Sequence, residues 1–220
     1  MIHVSHFVGL SGIGGVQRNF MEYINNKNVS GFDNGLSHKI YTLGNVSSQY
    51  KLSSDVHDIR RFENLLSLIL DIVSRKKIVH FYNNLASLKV AMLLLFLPTS
   101  NLILHERGVI WNLPSNRRLL LKFVVWKSHL ILANSNATKT MLEKKFNVPS
   151  GKIRVLYNGI NTSVKCIKKK PIHKRFCIGF IGRLDTPKGV HVLIEAMRYL
   201  IDNDSIELII AGDGVLKNVL

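Results

Sequence analysis

Residues 175–211 constrain the fold more than any other stretch of this 220-residue chain. An apolar run over 176–181, ended by Gly182, reads as a buried strand. A loop follows in which Thr186 suits a helix N-cap and Pro187 the first helical position. Apolar residues then recur at Val190, Leu193, Ile194, Met197, Leu200 and Ile201, the three- and four-residue steps of a helix face. Asn203 and Asp204 break the pattern, and 206–211 is a second apolar run. A strand, loop, helix and strand in this order predict two parallel strands joined by a right-handed crossover.

The rest of the chain alternates in the same way. Strands are predicted at 2–8, 38–43, 78–82, 101–105, 130–133 and 153–157, and helices at 16–24, 63–73, 85–96 and 135–146. This is the pattern of an open, mostly parallel α/β sheet. The length suits one large or two modest domains, and 46% hydrophobic residues support a packed core. Residues 165–175 hold six cations, no acid and one proline, a linker composition. The expected organisation is a first domain over 1–160, a basic linker over 161–174 and the start of a second domain over 175–220.

The loop after the first strand of that second domain has the chemistry of an anion site. Free N–H groups and the dipole at a helix start favour negative charge. Arg183 and Lys188 add two cations, and Gly182 and Gly189 let backbone approach a ligand. Loop chemistry alone leaves two readings, a phosphate or diphosphate cradle and an ordinary turn with two solvated cations. A second glycine-rich turn, 9–15, follows the first strand. It lacks the third glycine of the dinucleotide fingerprint.

The formal net charge is +16, and residues 75–183 carry 21 Lys or Arg against two acids, Glu106 and Glu143. Such an excess fits a solvated basic surface, an anionic membrane, a phosphorylated substrate or nucleic acid. No zinc spacing, RNP-type aromatic motif or helix-turn-helix signature accompanies it. Residues 117–127 combine Arg117, Arg118, Lys122 and Lys127 with Phe123 and Trp126. One reading is a helix lying on an anionic bilayer. The apolar residues cover too much of the wheel for a clean amphipathic helix, so a buried helix with snorkelling cations is the stronger expectation. Two cysteines without metal spacing or a disulfide framework suit a reducing compartment. The N-terminus runs straight into a strand without a signal-peptide pattern. The longest apolar run, 90–97, is far short of the roughly 20 residues a spanning helix needs.

Gly182-Arg183-Leu184 followed by Lys188-Gly189 resembles the donor-phosphate loop of retaining GT-B glycosyltransferases of family four, the group 1 glycosyltransferases. The resemblance extends along the chain. Gly14 and Gly15 match the family's cleft-facing glycine pair. His105, at the end of the 101–105 strand, matches a histidine near the donor sugar and phosphate, and is the catalytic candidate. Asn158-Gly159-Ile160-Asn161 is similar to the turn that closes the family's first domain, with Asn161 where an aspartate is usual. Gly212-Asp213-Gly214 matches a turn of the second. Glu106 stands where the family often has Asp or another polar residue and receives no role, while Arg107 either meets an anionic substrate or is solvated.

The resemblance implies a GT-B fold with a complete first Rossmann-like domain and the first β-α-β of a second. It implies transfer of a sugar from a nucleotide-diphosphate donor to a hydroxyl with retention, in cell-surface polysaccharide or lipopolysaccharide synthesis. Arg183 and Lys188, with Gly182 and Gly189, would hold the donor diphosphate. Neither a cofactor nor a metal is implied. The expected partners are the nucleotide sugar and a saccharide or lipid-linked acceptor. The expected location is cytoplasmic, with peripheral contact with the inner face of the plasma membrane through Arg117, Arg118, Lys122, Trp126 and Lys127. The family's pair of glutamates seven apart is absent, since no acid follows Asp213, so the chain as given is expected to be weakly active or inactive. Two other classes stand beside this reading, a non-catalytic phosphate or sugar-nucleotide binding module and a basic nucleic-acid-binding protein.

Overall fold

A computed structural model describes residues 1–12, 14–26, 35–52, 55–82, 88–99, 101–107, 115–159 and 175–220. The chain folds as two compact units, Met1–Asn161 and Thr162–Leu220. The expected linker, 161–174, lies outside the described residues, as do Asn83, Asn84 and Asn161.

The first unit is a seven-stranded parallel sheet. Its strands are β1 (Ile2–Val8), β2 (Leu36–Thr42), β3 (Val56–Asp58), β4 (Lys77–Tyr82), β5 (Leu102–Glu106), β6 (Leu130–Ala133) and β7 (Ile153–Val155), in the spatial order β3-β2-β1-β4-β5-β6-β7. The order reverses between β1 and β4, the switch point beyond whose strand ends open α/β sheets place their ligands. The period of two divides β1 and β4 between two apolar clusters. Phe7 and Phe81 enter a large cluster with Leu68, Leu94, Leu104, Val124 and Leu142. Val8 and Tyr82 enter a smaller one with Phe20, Met21 and Ile24.

The helices are α1 (Gly15–Asn26), α2 (Phe62–Val73), α3 (Leu88–Phe96), α4 (Ser115–Lys127) and α5 (Asn136–Phe146). Helix α5 shows how local sequence fixes its ends. The Ser135 hydroxyl accepts from the Thr138 N–H at 3.1 Å, and Asn147 closes the helix at φ 54°. A buried carboxylate ties α2 to the sheet. Asp71 accepts from the Ser5 hydroxyl at 2.6 Å, the Tyr41 hydroxyl at 2.8 Å and the Lys77 ammonium. Burial pushes its pKa up, but these hydrogen bonds, led by Lys77, outweigh burial and hold it below the usual carboxylate range.

The second unit pairs β8 (Phe176–Ile181) with β9 (Ile206–Ala211) in parallel, from Phe176↔Ile206 to Ile181↔Ala211, with α6 (Val190–Met197) between them in sequence. The expected crossover unit is present. The expected cap is not, because Thr186, Pro187 and Lys188 form a 3-10 turn. Gly189 takes the cap position of α6 at φ 72°, a left-handed conformation that favours glycine. The helix is also shorter than the apolar pattern suggests, since 198–200 is again 3-10.

Candidate functional site

In the first unit, polar side chains gather at the C-terminal edge of the sheet around the switch point. The register sets His6 beside His80 and Tyr82 beside His105. Together with His38 these make a ladder of four imidazoles on neighbouring strands. His38 and His6 stack at 5.2 Å between centroids, with Nδ1 and Nε2 2.9 Å apart. His6 lies 5.5 Å from His80, and His80 stacks on His105 at 5.5 Å and 5°. Burial, reinforced by the neighbouring imidazoles and Arg107, pushes His80 well below the ordinary histidine range. His105 is 3% exposed. Burial, and then Arg107, lower it to about 3. Both rings are therefore neutral at physiological pH.

Arg107 links this ladder to the start of α1. Its Nε–H donates to His105 Nε2 at 3.3 Å, and its Nη2 donates to Asn19 Oδ1 at 3.0 Å. Asn19 Nδ2 in turn donates to the Gly159 carbonyl at 3.2 Å. The guanidinium also lies over the Tyr82 ring at 6.0 Å, within cation–π reach. Two donors remain: Arg107 Nη1 and His105 Nδ1 are buried and have no hydrogen-bond partner among the described residues. Unmet buried donors at a strand edge are positions that a water or a ligand oxygen can fill.

The glycine-rich turn stands at this same edge of the first unit. Gly15 begins α1, and the Gly14 carbonyl accepts from the Arg18 N–H at 3.0 Å. A side chain at Gly14 would meet Gln17 Oε1 at 2.9 Å, whereas Gly15 has open space. Gln17 and Tyr50 brace the turn by donating to the carbonyls of Gly9 and Gly12 at 2.9 and 3.1 Å. Farther along the sheet, a cavity of ≈ 620 Å³ opens at the ends of β2 and β3, lined by Thr42, Asn45, Asp58, Arg60, Arg61 and Asn64. Arg60 hydrogen-bonds the Asp58 carboxylate at 2.8 Å and, ahead of its other hydrogen bonds, holds it down to about 2.

The second unit carries the other candidate loop. Arg183 and Lys188 are both exposed, and Arg183 forms an ion pair with Asp185 at 2.8 Å that the sequence did not suggest. Asp185 Oδ1 is buried without a partner among the described residues. Gly189 is demanded by its backbone, but Gly182 is in ordinary contact with Phe180 only. The crowded glycines are Gly212 and Gly214, where a side chain would come within 1.9 Å of the Gly182 carbonyl oxygen and 2.4 Å of that of Leu184. Backbone bonds from Gly182 to Ala211 at 3.1 Å and from Leu184 to Asp213 at 2.9 Å zip the two loops together.

Helix α4 is neither buried nor cleanly amphipathic. Val124 and Val125 are buried, while Leu119, Phe123 and Trp126 are exposed, Trp126 by 76%. This corrects the expectation of a buried helix. Arg118 and Lys122 are exposed on the same helix, and the side chain of Arg117 lies outside the described residues. Lys127 leaves the expected membrane-contact set, because its ammonium donates to the carbonyls of Leu94, Leu95 and Leu97 at 3.1, 2.7 and 2.7 Å, capping the end of α3. Among the described residues no helix is long and apolar enough to cross a membrane, and no group of three His, Cys, Asp or Glu is arranged to hold a metal.

The histidine ladder was readable as four histidines in four predicted strands, but Asn19 carried no sequence signal. The β2–β3 cavity depends on a strand too short to show a pattern.

Comparison with known proteins sets these sites in a family. Residues 51–164 match the model for Glycosyltransferase Family 4, and 165–220 match Glycosyl transferases group 1. The chain is 31% identical over 107 residues to an uncharacterized glycosyltransferase of Methanocaldococcus jannaschii, a match covering 43% of this chain and 27% of that protein. It is 32% identical over 106 residues to the N-acetylgalactosamine-N,N'-diacetylbacillosaminyl-diphospho-undecaprenol 4-alpha-N-acetylgalactosaminyltransferase of Campylobacter jejuni, covering 47% and 28%. Anabaena HepE, solved in complex with UDP and glucose, superposes with a TM-score of 0.71 at 15% identity over 100% of this chain and 63% of that one. The fold is that of GT-B glycosyltransferases, and the chain spans less than two thirds of the length of each of these proteins.

Proposed function

The chain belongs to glycosyltransferase family 4, and we propose that the protein of which it forms these 220 residues transfers a sugar, with retention, from a nucleotide-diphosphate donor to a hydroxyl. The observation that carries the proposal is the pair of exposed cations, Arg183 and Lys188, beside the left-handed Gly189 at the start of α6, inside the stretch that matches the group 1 model. In sugar transfer the departing diphosphate takes the electron pair of the broken glycosidic bond while the sugar gains positive charge. Fixed cations and helix N–H groups stabilise that leaving group. The diphosphate would draw Arg183 away from Asp185. Within the first unit, the neutral ring of His105 offers a hydrogen-bond donor at the strand end.

The name of the Campylobacter relative, which specifies a diphospho-undecaprenol-linked sugar, supports a lipid-linked acceptor. An acceptor of that kind is anchored in a bilayer. The exposed Leu119, Phe123 and Trp126 with Arg118 and Lys122 form a face suited to an anionic lipid surface. On this reading the product is a precursor of surface polysaccharide or lipopolysaccharide, and the protein works at the cytoplasmic face of the membrane.

Nucleotide binding is expected to be weak and without regard to the base. Titration with UDP, GDP and a DNA duplex at low and high salt tests the assignment. UDP and GDP are expected to bind alike, with binding lost in Arg183→Ala and Lys188→Ala, and DNA binding is expected to collapse with salt. Salt-resistant DNA binding together with indifference to both nucleotides contradicts it. Sedimentation should favour anionic over neutral vesicles, and equal partitioning removes the membrane contact.

A further inference from the structure

We infer that Arg107 is a positioning residue that fixes His105 as the neutral tautomer protonated on Nδ1, so that the ring offers ligands a single N–H donor. A neutral imidazole carries one proton, and the hydrogen bond made by one nitrogen decides which nitrogen keeps it. Arg107 has only N–H donors to offer, and its Nε–H points at His105 Nε2 at 3.3 Å. Nε2 must therefore accept, and the proton resides on Nδ1.

The geometry holds Arg107 in place for this task. Asn19 takes its Nη2 at 3.0 Å, and Asn19 is itself tied to the Gly159 carbonyl at 3.2 Å. The groups around the ring agree. From β4, His80 stacks on it at 5.5 Å and Tyr82 lies at 5.1 Å, and Arg107 is the cation beside it. Burial and that cation both disfavour imidazolium, which is why His105 falls to about 3. A protonated ring would have to place a second N–H against the guanidinium. His105 Nδ1 has no partner among the described residues, although the side chain is 3% exposed. A buried donor left unmet costs stability unless something accepts from it, and the class of group that completes it is a sugar hydroxyl or phosphate oxygen. His105 on this account cannot serve as a general acid in imidazolium form. It donates a hydrogen bond without changing its charge.

The inference rests on the reading of His105 as a substrate-facing ring. Its test needs no substrate, so the two can fail separately. The 220-residue chain labelled with ¹⁵N-histidine is examined by long-range ¹H–¹⁵N correlation at neutral pH, with His105 assigned by its disappearance in His105→Gln. The expected wild-type pattern is a protonated Nδ1 and an unprotonated Nε2. In Arg107→Met, which keeps the apolar stem, the ring is expected to shift toward the Nε2-protonated tautomer and to titrate closer to the ordinary histidine value. The signals of His57, His129 and His191, outside the ladder, stay in place and report that the fold is intact, while His80 moves with its neighbour. A wild-type ring protonated on Nε2 overturns the inference, as does a folded Arg107→Met protein whose His105 signals and titration are unchanged. Should Arg107→Met not fold, the wild-type spectrum decides the tautomer, and Asn19→Ala, which only loosens the clamp, supplies the comparison under the same two outcomes.

Discussion

The two units pair their strands in the same parallel way but treat their apolar residues differently. In the first, the central strands end in buried residues on both faces, filled by Phe20 and Ile24 on one side and by Leu68, Leu94 and Val124 on the other. In the second, β8 and β9 keep a full six-pair register. Yet Ile181 is 90% exposed, Phe176, Val192, Tyr199 and Ile201 are exposed as well, and only Leu184 and Val190 are buried apolar residues among those described. The difference shows that a parallel ladder supplies register without supplying a core. Stability comes from what covers the faces, and the first unit should carry nearly all of it.

The largest effect expected to sharpen this contrast is in the first unit. Leu68 is fully buried, and Leu68→Ala should cost about 2–5 kcal/mol of unfolding free energy, read by denaturant melts. A loss below about 1 kcal/mol would break the comparison at its stronger end.

Next comes Asp71. Its carboxylate is 2% exposed and holds Ser5, Tyr41 and Lys77, the last about one-third exposed. Asp71→Ala strands the buried Ser5 hydroxyl, while the Tyr41 hydroxyl keeps Ser67 at 3.0 Å, and a cost of about 1–3 kcal/mol is expected, reduced because water still reaches Lys77. An unchanged melt shows that the network contributes nothing net.

Acid should act on the first unit in particular. His80 and His105 are depressed in the folded state, so below the unfolded value of about 6.5 the unfolded chain binds protons that the folded chain refuses. Stability is full above that pH and declines as pH falls from about 6.5 toward about 3, by at most about 1.4 kcal/mol per pH unit for each excess proton. His80→Gln should flatten the slope between about pH 6.5 and 5, and an equally steep decline in the variant assigns acid sensitivity elsewhere.

The smallest effect belongs to the second unit. Ile181→Ala should change stability by no more than about 0.5 kcal/mol. A loss as large as that of Leu68→Ala means that Ile181 is covered in solution and erases the contrast.

How much of this was legible beforehand follows the range of the interactions. The alternation of strands and helices and the β8–α6–β9 crossover were local patterns, and each candidate site residue of the strand ends fell on a predicted element. The three-residue β3 was missed because Val56-His57-Asp58 is too short and too polar to show a period. The cap of α6 was misplaced because Thr186-Pro187 has the chemistry of a helix start, while the left-handed Gly189 restarts the turn after it. The links that build the site were not legible at all. Arg107 and Asn19 are 88 positions apart, and Asn19 and Gly159 are 140 apart; they meet because of the strand order, which no local pattern specifies. Lys127 looked like a surface cation because its acceptors are the end of another helix.

On the proposed reading, Arg183 and Lys188 of the sparsely covered unit receive the donor diphosphate. A UDP titration of the ¹⁵N-labelled 220-residue chain, followed amide by amide, tests it most directly. Shifts are expected at Arg183, Lys188 and Gly189, nearly the same with GDP, and absent in the Arg183→Ala, Lys188→Ala double variant. Loop amides that stay still at saturating UDP, or a double variant that binds as the wild type does, would contradict the account.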